Sequence, residues 1–221
     1  GWPCQDLSRA NIHGKGLLGA RSSLFFHGAR LWEKVRAANP DAVLFGECVA
    51  RWNRRGHYKF ASDTVLKVQP VVVCSGGHSY CRRERAYWMS WKVGRLTKCR
   101  ADAADILDEG RHPVDKHGHR VTKLATLMVH RSSWNTKNPV WDATLGEYDD
   151  LRIHEAERAM EMPEGHTAMG VGGMVIPPEE RFKMVGNAFN VRTVASLLSE
   201  GRQQITARAQ MNHRGQTRQQ P

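Results

Sequence analysis

Pro3-Cys4-Gln5 opens the sequence and is followed by a segment that bears Ser8, Gly14 and Gly16. A cysteine in that setting suits a nucleophilic thiol at the end of a strand. The thiolate is the reactive form, and a basic or turn environment raises its population. The preceding proline removes a backbone donor and stiffens the approach, so the sulfur is aimed. Alone, such a pair is far more often an incidental cysteine. Three further stretches follow in order: Leu44-Phe45-Gly46-Glu47-Cys48-Val49, Cys81-Arg82-Arg83-Glu84-Arg85-Ala86-Tyr87-Trp88, and Arg181-Phe182-Lys183-Met184-Val185-Gly186-Asn187-Ala188. A carboxylic acid such as Glu47 can supply a proton or a hydrogen bond, and a guanidinium can hold a carbonyl, a carboxylate or a phosphate.

This ordered set resembles the DNA cytosine-5 methyltransferases, with their Pro-Cys nucleophile loop, Glu-Asn-Val strand, Arg-x-Arg pair and Gly-Asn-Ala segment. The connecting sequence is most similar to the animal de novo branch, notably Asp6-Leu7-Ser8, Lys15-Gly16-Leu17, Leu24-Phe25-Phe26 and Glu155-Ala156-Glu157-Arg158. The resemblance covers about residues 1–200. It implies an α/β chain forming the C-terminal portion of a Rossmann-like, S-adenosylmethionine-dependent methyltransferase fold. That portion would carry a small target-recognition region at about residues 92–145.

The resemblance also assigns roles. Cys4 is the nucleophile that adds at carbon 6 of cytosine and makes carbon 5 reactive. Glu47 stabilises the electron density that this addition places on ring nitrogen 3. Arg83 and Arg85 match the arginine pair, one holding the base carbonyl and the other bracing the glutamate or a phosphate. Their i, i+2 spacing puts both on one face of a strand. Asn187 and Ala188 fall where the family forms part of the cofactor wall. Ser8 and Asn11 of the nucleophile loop are expected to contact nucleic acid. So are Arg131, Asn135 and Lys137 in the stretch from His130 to Asn138, at the position of the recognition loop.

The chain departs from the family pattern in several places. Cys48 replaces the asparagine that helps to hold the loop, Trp2 stands where a small residue is usual, and Ala10 replaces a larger aliphatic wedge. No glycine-containing turn with following acidic residues, the usual grip on S-adenosylmethionine, is found. Gly170-Val171-Gly172-Gly173 has no apolar strand before it and reads as a surface loop. The chain is therefore expected to be a fragment of such an enzyme or one half of a split one, with a second chain supplying the N-terminal cofactor-binding half. A DNA-binding or regulatory paralogue without turnover is an alternative, and so is a transfer-RNA methyltransferase, a branch that shares the Pro-Cys loop.

Composition is compatible with these readings. Lys and Arg number 33 against 22 Asp and Glu in 221 residues, and the net charge of +11 favours a polyanionic partner, DNA first. No apolar run approaches the roughly 18 residues that cross a bilayer, so no membrane role is expected. Five cysteines, an odd number without a Cys-x-x-Cys motif, suit an intracellular, reducing compartment, the nucleus in a eukaryote. Cys74, His78, Cys81 and Cys99 could suggest zinc, but their spacing fits no common finger, and no metal is expected.

The periodicity predicts helices over 22–38, 59–68, 101–110 and 153–162, and another over 178–199 interrupted near Gly186-Asn187. Strands are predicted over 43–48, 71–74, 79–91 and 121–129. Residues 201–221 carry Arg202, Arg208, Arg214 and Arg218 with no acid, and read as a disordered basic tail after a domain of residues 1–200.

Overall fold

A computed structural model of the chain describes residues 1–94, 96–129 and 137–217, with side chains as far as residue 206. Its helices are α1 (Leu24–Ala38), α2 (Arg55–Phe60), α3 (Ile153–Ala159), α4 (Pro178–Asn187) and α5 (Val191–Thr217). Its strands are β1 (Phe45–Val49), β2 (Val71–Cys74), β3 (Glu84–Met89), β4 (Arg111–Pro113), β5 (Val140–Asp142) and β6 (Glu147–Asp149). They divide between two compact units, one formed by Gly1–Val73, Glu84–Gly94 and Glu200–Pro221, the other by Cys74–Arg83 and Arg95–Ser199.

The first unit is built on a three-stranded sheet in the order β1-β3-β2. Strand β1 runs antiparallel to β3, with Phe45 opposite Met89 and Val49 opposite Arg85. Helix α1 ends where predicted, because Asn39, which precedes Pro40, takes an extended backbone that a helix cannot continue. Phe25 and Ala29, one turn apart, form its buried face. The helix predicted from residue 59 begins earlier, at Arg55, and widens into a π-helical stretch, Ala61–Leu66. An aromatic cluster fills the core, with Trp2 5.1 Å from Trp88 and Trp52 5.3 Å from Tyr58 between ring centroids. Trp88 is fully buried, and its indole N–H donates to Ser62 Oγ at 3.0 Å. That bond meets the requirement of a polar atom inside an apolar core.

Helix α5 runs on to Thr217, through the segment expected to form a disordered tail. Gly201 packs so closely on Trp91 that a Cβ there would lie 2.5 Å from the indole. Glu200 accepts from the Gly94 N–H at 3.1 Å, and Gln204 accepts from that of Lys92 at 3.2 Å. The segment lacks acids, but its Ala, Arg, Gln and Met are good helix formers. Residues 218–221 lie outside the described ones.

The second unit carries an antiparallel sheet in the order β4-β5-β6. Helices α3 and α4 contribute Ala156, Ala159, Phe182 and Val185 to its core, beside Leu124, Leu127 and Val140. The predicted strand over 121–129 does not form. Leu124 makes one parallel bridge to Cys81. Next to it, Ala125 N–H goes to the side chain of Asn138 (2.6 Å) and Thr126 Oγ1 donates to the Arg82 carbonyl (2.7 Å). Side-chain partners thus replace a ladder. The helix predicted over 101–110 shrinks to one turn, Ala103–Ile106, capped by Asp102.

A buried ionic network ties this unit together. Arg111, its side chain 1% exposed, donates to Glu155 Oε1 and Asp142 Oδ2, both at 2.9 Å, and also to Asp149. Glu157 accepts from the Thr167 N–H at 2.8 Å and from Arg181 at 3.1 Å. Burial would raise the Glu157 carboxyl, but bonds from Thr167, Gly165 and Arg181 hold it below its ordinary range. Among the described residues no helix is long and apolar enough to cross a membrane.

Candidate active site

Cys4 is half-buried against the core of the first unit, at the head of a tight loop. Its carbonyl accepts from the N–H groups of Leu7 (2.9 Å) and Ser8 (2.8 Å), and the Pro3 carbonyl accepts from Ser22 Oγ at 3.1 Å. Ser8 and Asn11 both shape this loop. Ser8 Oγ accepts from the Ala10 N–H at 3.2 Å, while the Asn11 amide donates to the Gln5 carbonyl at 2.9 Å. Asn53 and His57, from the segment after β1, also reach the loop. The sequence singles out neither, because they lie 39 or more positions from their loop partners and belong to no motif; the glycines Gly14 and Gly16 are a local trace.

Glu47 on β1 faces Arg85 on β3 diagonally across the antiparallel pair, Oε1 to Nε at 3.0 Å, with side chains 20% and 13% exposed. The chain entering the Cys4 loop passes over this carboxylate. A Cβ on Gly1 would lie 3.1 Å from Glu47 Oε2. Cys48, next along β1, points to the opposite face. Burial pushes its thiol far up, with the charges of Cys4 and Glu47 adding to the effect, so it stays neutral in the core. Of the two cysteines here, the accessible one is Cys4.

Arg83 does not share a strand face with Arg85, contrary to the i, i+2 expectation. Strand β3 begins at Glu84, and Arg83 belongs to the second unit. There its buried guanidinium donates to the carbonyls of Leu127 and Gly186, both at 3.1 Å. Those charge-assisted bonds offset the cost of burying the cation. Gly186 itself lies against main chain, where a Cβ would sit 2.4 Å from the Met128 carbonyl oxygen. Of the two candidate cofactor contacts in that unit, Asn187 is exposed at the end of α4 and Ala188 packs half-buried on the core.

Lys137 is exposed, its Nζ 3.5 Å from Met128 Sδ. Arg131 and Asn135 lie outside the described residues. Gly170–Gly173 forms a small hairpin tip, closed by the Met169–Val175 bridge, with left-handed φ of 72° and 79° at Gly172 and Gly173. No strand runs into this tip, so it does not form a strand-to-helix glycine turn for a cofactor.

Of the four residues whose spacing could suggest zinc, His78, Cys81 and Cys99 have other partners, and Cys74 is exposed. His78 Nε2 meets Thr193 Oγ1 at 2.8 Å, Cys99 donates to the His78 carbonyl, and Cys81 packs on Met160 with its thiol pushed up to about 11 by burial. Asp108, His154 and Glu155 also cluster in the second unit. They are already neutralised: Asp108 accepts from Arg152, Arg158 and His154, and Glu155 from Arg111. Burial alone would raise Asp108, yet these bonds hold it far below the carboxylate range. A carboxylate so paired is a structural anchor.

No known family pattern matches this chain, and no curated protein matches it in sequence. Solved structures do match. The Entamoeba histolytica methyltransferase EhMeth superposes with a TM-score of 0.62 at 12% identity, over 90% of this chain and 74% of that one. The S. pombe Dnmt2 methyltransferase gives 0.58 at 13% identity, over 89% and 74%. The chain therefore has an α/β methyltransferase fold. At such identities the likeness is one of fold, and activity has to be argued from the site.

Proposed function

We propose that this chain is a cytosine-5 methyltransferase of nucleic acid, DNA in the first place, with Cys4 as nucleophile. One observation carries the reading: the segment leading into the half-buried, loop-borne Cys4 lies against the Glu47–Arg85 pair, a Cβ on Gly1 falling 3.1 Å from Glu47 Oε2, within a methyltransferase fold. In the proposed reaction the Cys4 thiolate forms a bond to carbon 6 of an unstacked cytosine. Electron density then moves onto the ring toward nitrogen 3. Glu47, whose Oε1 is held by Arg85, takes up a proton from solvent at its other oxygen and, as the carboxylic acid, gives that proton or a hydrogen bond to nitrogen 3. S-adenosylmethionine, when bound, supplies the electrophilic methyl for carbon 5, with Asn187 and Ala188 as candidate wall residues. Loss of the carbon-5 proton to solvent and of the thiolate from carbon 6 restores the ring.

Arg83 is assigned a supporting part, through the carbonyls it holds. Ser8, Asn11, Lys137, Arg131 and Asn135 are proposed nucleic-acid contacts, and the net charge of +11 supports a polyanionic substrate. In a eukaryote that substrate would be met in the nucleus. A second reading, a DNA-binding paralogue without turnover, is favoured by one observation. Among the described residues only Asn187 and Ala188 are candidate contacts for a methyl donor; turnover would need further contacts, and a second polypeptide is the proposed source of them.

Covalent trapping tests both. Duplex DNA and transfer RNA carrying 5-fluorocytosine are incubated with the chain and S-adenosylmethionine, with and without the cofactor-binding half of a related methyltransferase. Fluorine blocks release, so an adduct that survives denaturation reports thiolate attack. The expected result is an adduct on DNA that is lost in Cys4→Ser and kept in Cys48→Ser. Equal trapping in the two variants sinks the assignment, and trapping on transfer RNA alone moves the substrate to RNA.

A further inference from the structure

We infer that Asn53 is the positioning residue that holds the nucleophile loop and thereby places Cys4. The chemical consequence rests on the reading above, while the loop-holding itself does not. Asn53 follows β1 on the turn into α2. Its main-chain N–H donates to the Leu7 carbonyl at 2.7 Å. Its side-chain nitrogen lies 2.9 Å from the Asp6 carbonyl, 3.0 Å from that of Gly14 and 3.4 Å from that of Asn11. One amide, with two N–H donors, therefore lies within reach of three loop carbonyls. The Asp6 and Asn11 carbonyls also accept from the Gly16 (2.9 Å) and Gly14 (3.1 Å) N–H groups, whereas the amide joins the separate turns to one another.

The loop is shaped around this contact. At Gly14 a Cβ would sit 2.4 Å from the Asn53 amide nitrogen and 2.5 Å from the Asp6 carbonyl oxygen, so no other residue fits. Further along, the Leu17 N–H donates to His57 Nδ1 at 3.0 Å, and Arg9 N–H reaches the Arg51 carbonyl at 3.3 Å. Asn53 sits between these two outer fastenings. From it the path to the sulfur is short: Asn53 fixes the Asp6 and Leu7 carbonyls, and the Leu7 N–H closes the turn on the Cys4 carbonyl.

Position 48 explains why the amide is needed here. Cys48 is buried at 1% exposure in the apolar core. A thiol is a weak donor and cannot gather carbonyls as an amide does. In this chain the amide that holds the loop is supplied five residues later, from outside the strand.

The test uses Asn53→Ala and the milder Asn53→Ser, with Gly14→Ala as an independent way of displacing the same amide. Hydrogen exchange at the Leu7 and Gly16 amides should quicken about tenfold, while that of Trp88 in β3 stays unchanged. Peptide-level alkylation with iodoacetamide across a pH series should show the Cys4 rate profile altered at least threefold and the Cys99 profile intact. A residue that merely stabilised the fold would change both alike. Loop exchange and Cys4 alkylation within twofold of wild type in all three variants overturns the inference. If the loop loosens but wild type never traps 5-fluorocytosine, Asn53 keeps its role and the methyltransferase reading falls. If all variants trap as wild type does, with exchange unchanged, the reverse holds.

Discussion

Replacing Arg111 by methionine removes a cation of similar volume from the centre of the second unit and leaves its carboxylates behind. The guanidinium donates to Glu155 and Asp142 at 2.9 Å and to the Asp150 carbonyl at 2.8 Å, and the Glu155 side chain has no exposed surface. Water cannot take over for that carboxylate. Losing one partner of a buried pair costs about 3–5 kcal/mol, against a total stability of about 5–15 kcal/mol for a domain. Arg111→Met should therefore bring the unit close to unfolding at 25 °C, read as a large fall in the urea midpoint by circular dichroism. Arg111→Met/Glu155→Gln should lose less than Arg111→Met alone, because the stranded charge has gone. Bonds from Arg111 hold Asp142 and Asp149 below the ordinary carboxylate range. Groups depressed in the folded state stabilise it above their unfolded pKa, about 3.9, and that contribution disappears as pH falls through the folded values. The gap between wild type and variant should be full at neutral pH and narrow in acid below about pH 4. A loss under about 1 kcal/mol at neutral pH, the size of an exposed pair, would refute the reasoning.

Gly186→Ala drives a methyl into main chain 2.4 Å away, which cannot swing aside, and should cost about 1–3 kcal/mol in a thermal melt. Deleting residues 201–217 should lower the melting temperature, because Gly201 packs on Trp91 and Gln204 bonds Lys92; an unchanged melt would restore the free-tail reading. Affinity for duplex DNA, followed by fluorescence anisotropy, should fall with salt at a log-log slope of about −0.9 per phosphate contacted, and a flat response would count against a nucleic-acid substrate.

Features that depend on local pattern were legible in the sequence. The 71–74 run is strand β2 as predicted, α1 ends at Ala38 just ahead of Asn39-Pro40, and the break after Gly186-Asn187 separates α4 from α5. Glu47 and Arg85 were legible as candidates through their motifs, and cross-strand register brings them together. What escaped depends on distant partners. Alternation over 121–129 looked like a strand, but Asn138 and Arg82 take its polar groups. Arg83 resembled Arg85 in the sequence, but strand β3 begins one residue after it, at Glu84. The basic run after Gly201 lacked acids, and only the Trp91 surface shows why it is helix. Asn53 had no local signature, since its three acceptors lie 39 to 47 positions earlier.

Helix α3 is seven residues long and carries two fully buried carboxylates, Glu155 and Glu157, which are met by Arg111 and Arg181. Two residues along a helix turn a side chain by roughly 200°, so the helix is bolted on opposite sides. Hydration of ions weakens on warming, so the cost of stripping water from these groups shrinks as temperature rises, whereas hydrophobic gain per unit area levels off. The two bolts should thus contribute more near the melting transition than at room temperature. Acid acts on the second bolt by another route, because protonating Glu157 removes the charge that meets Arg181.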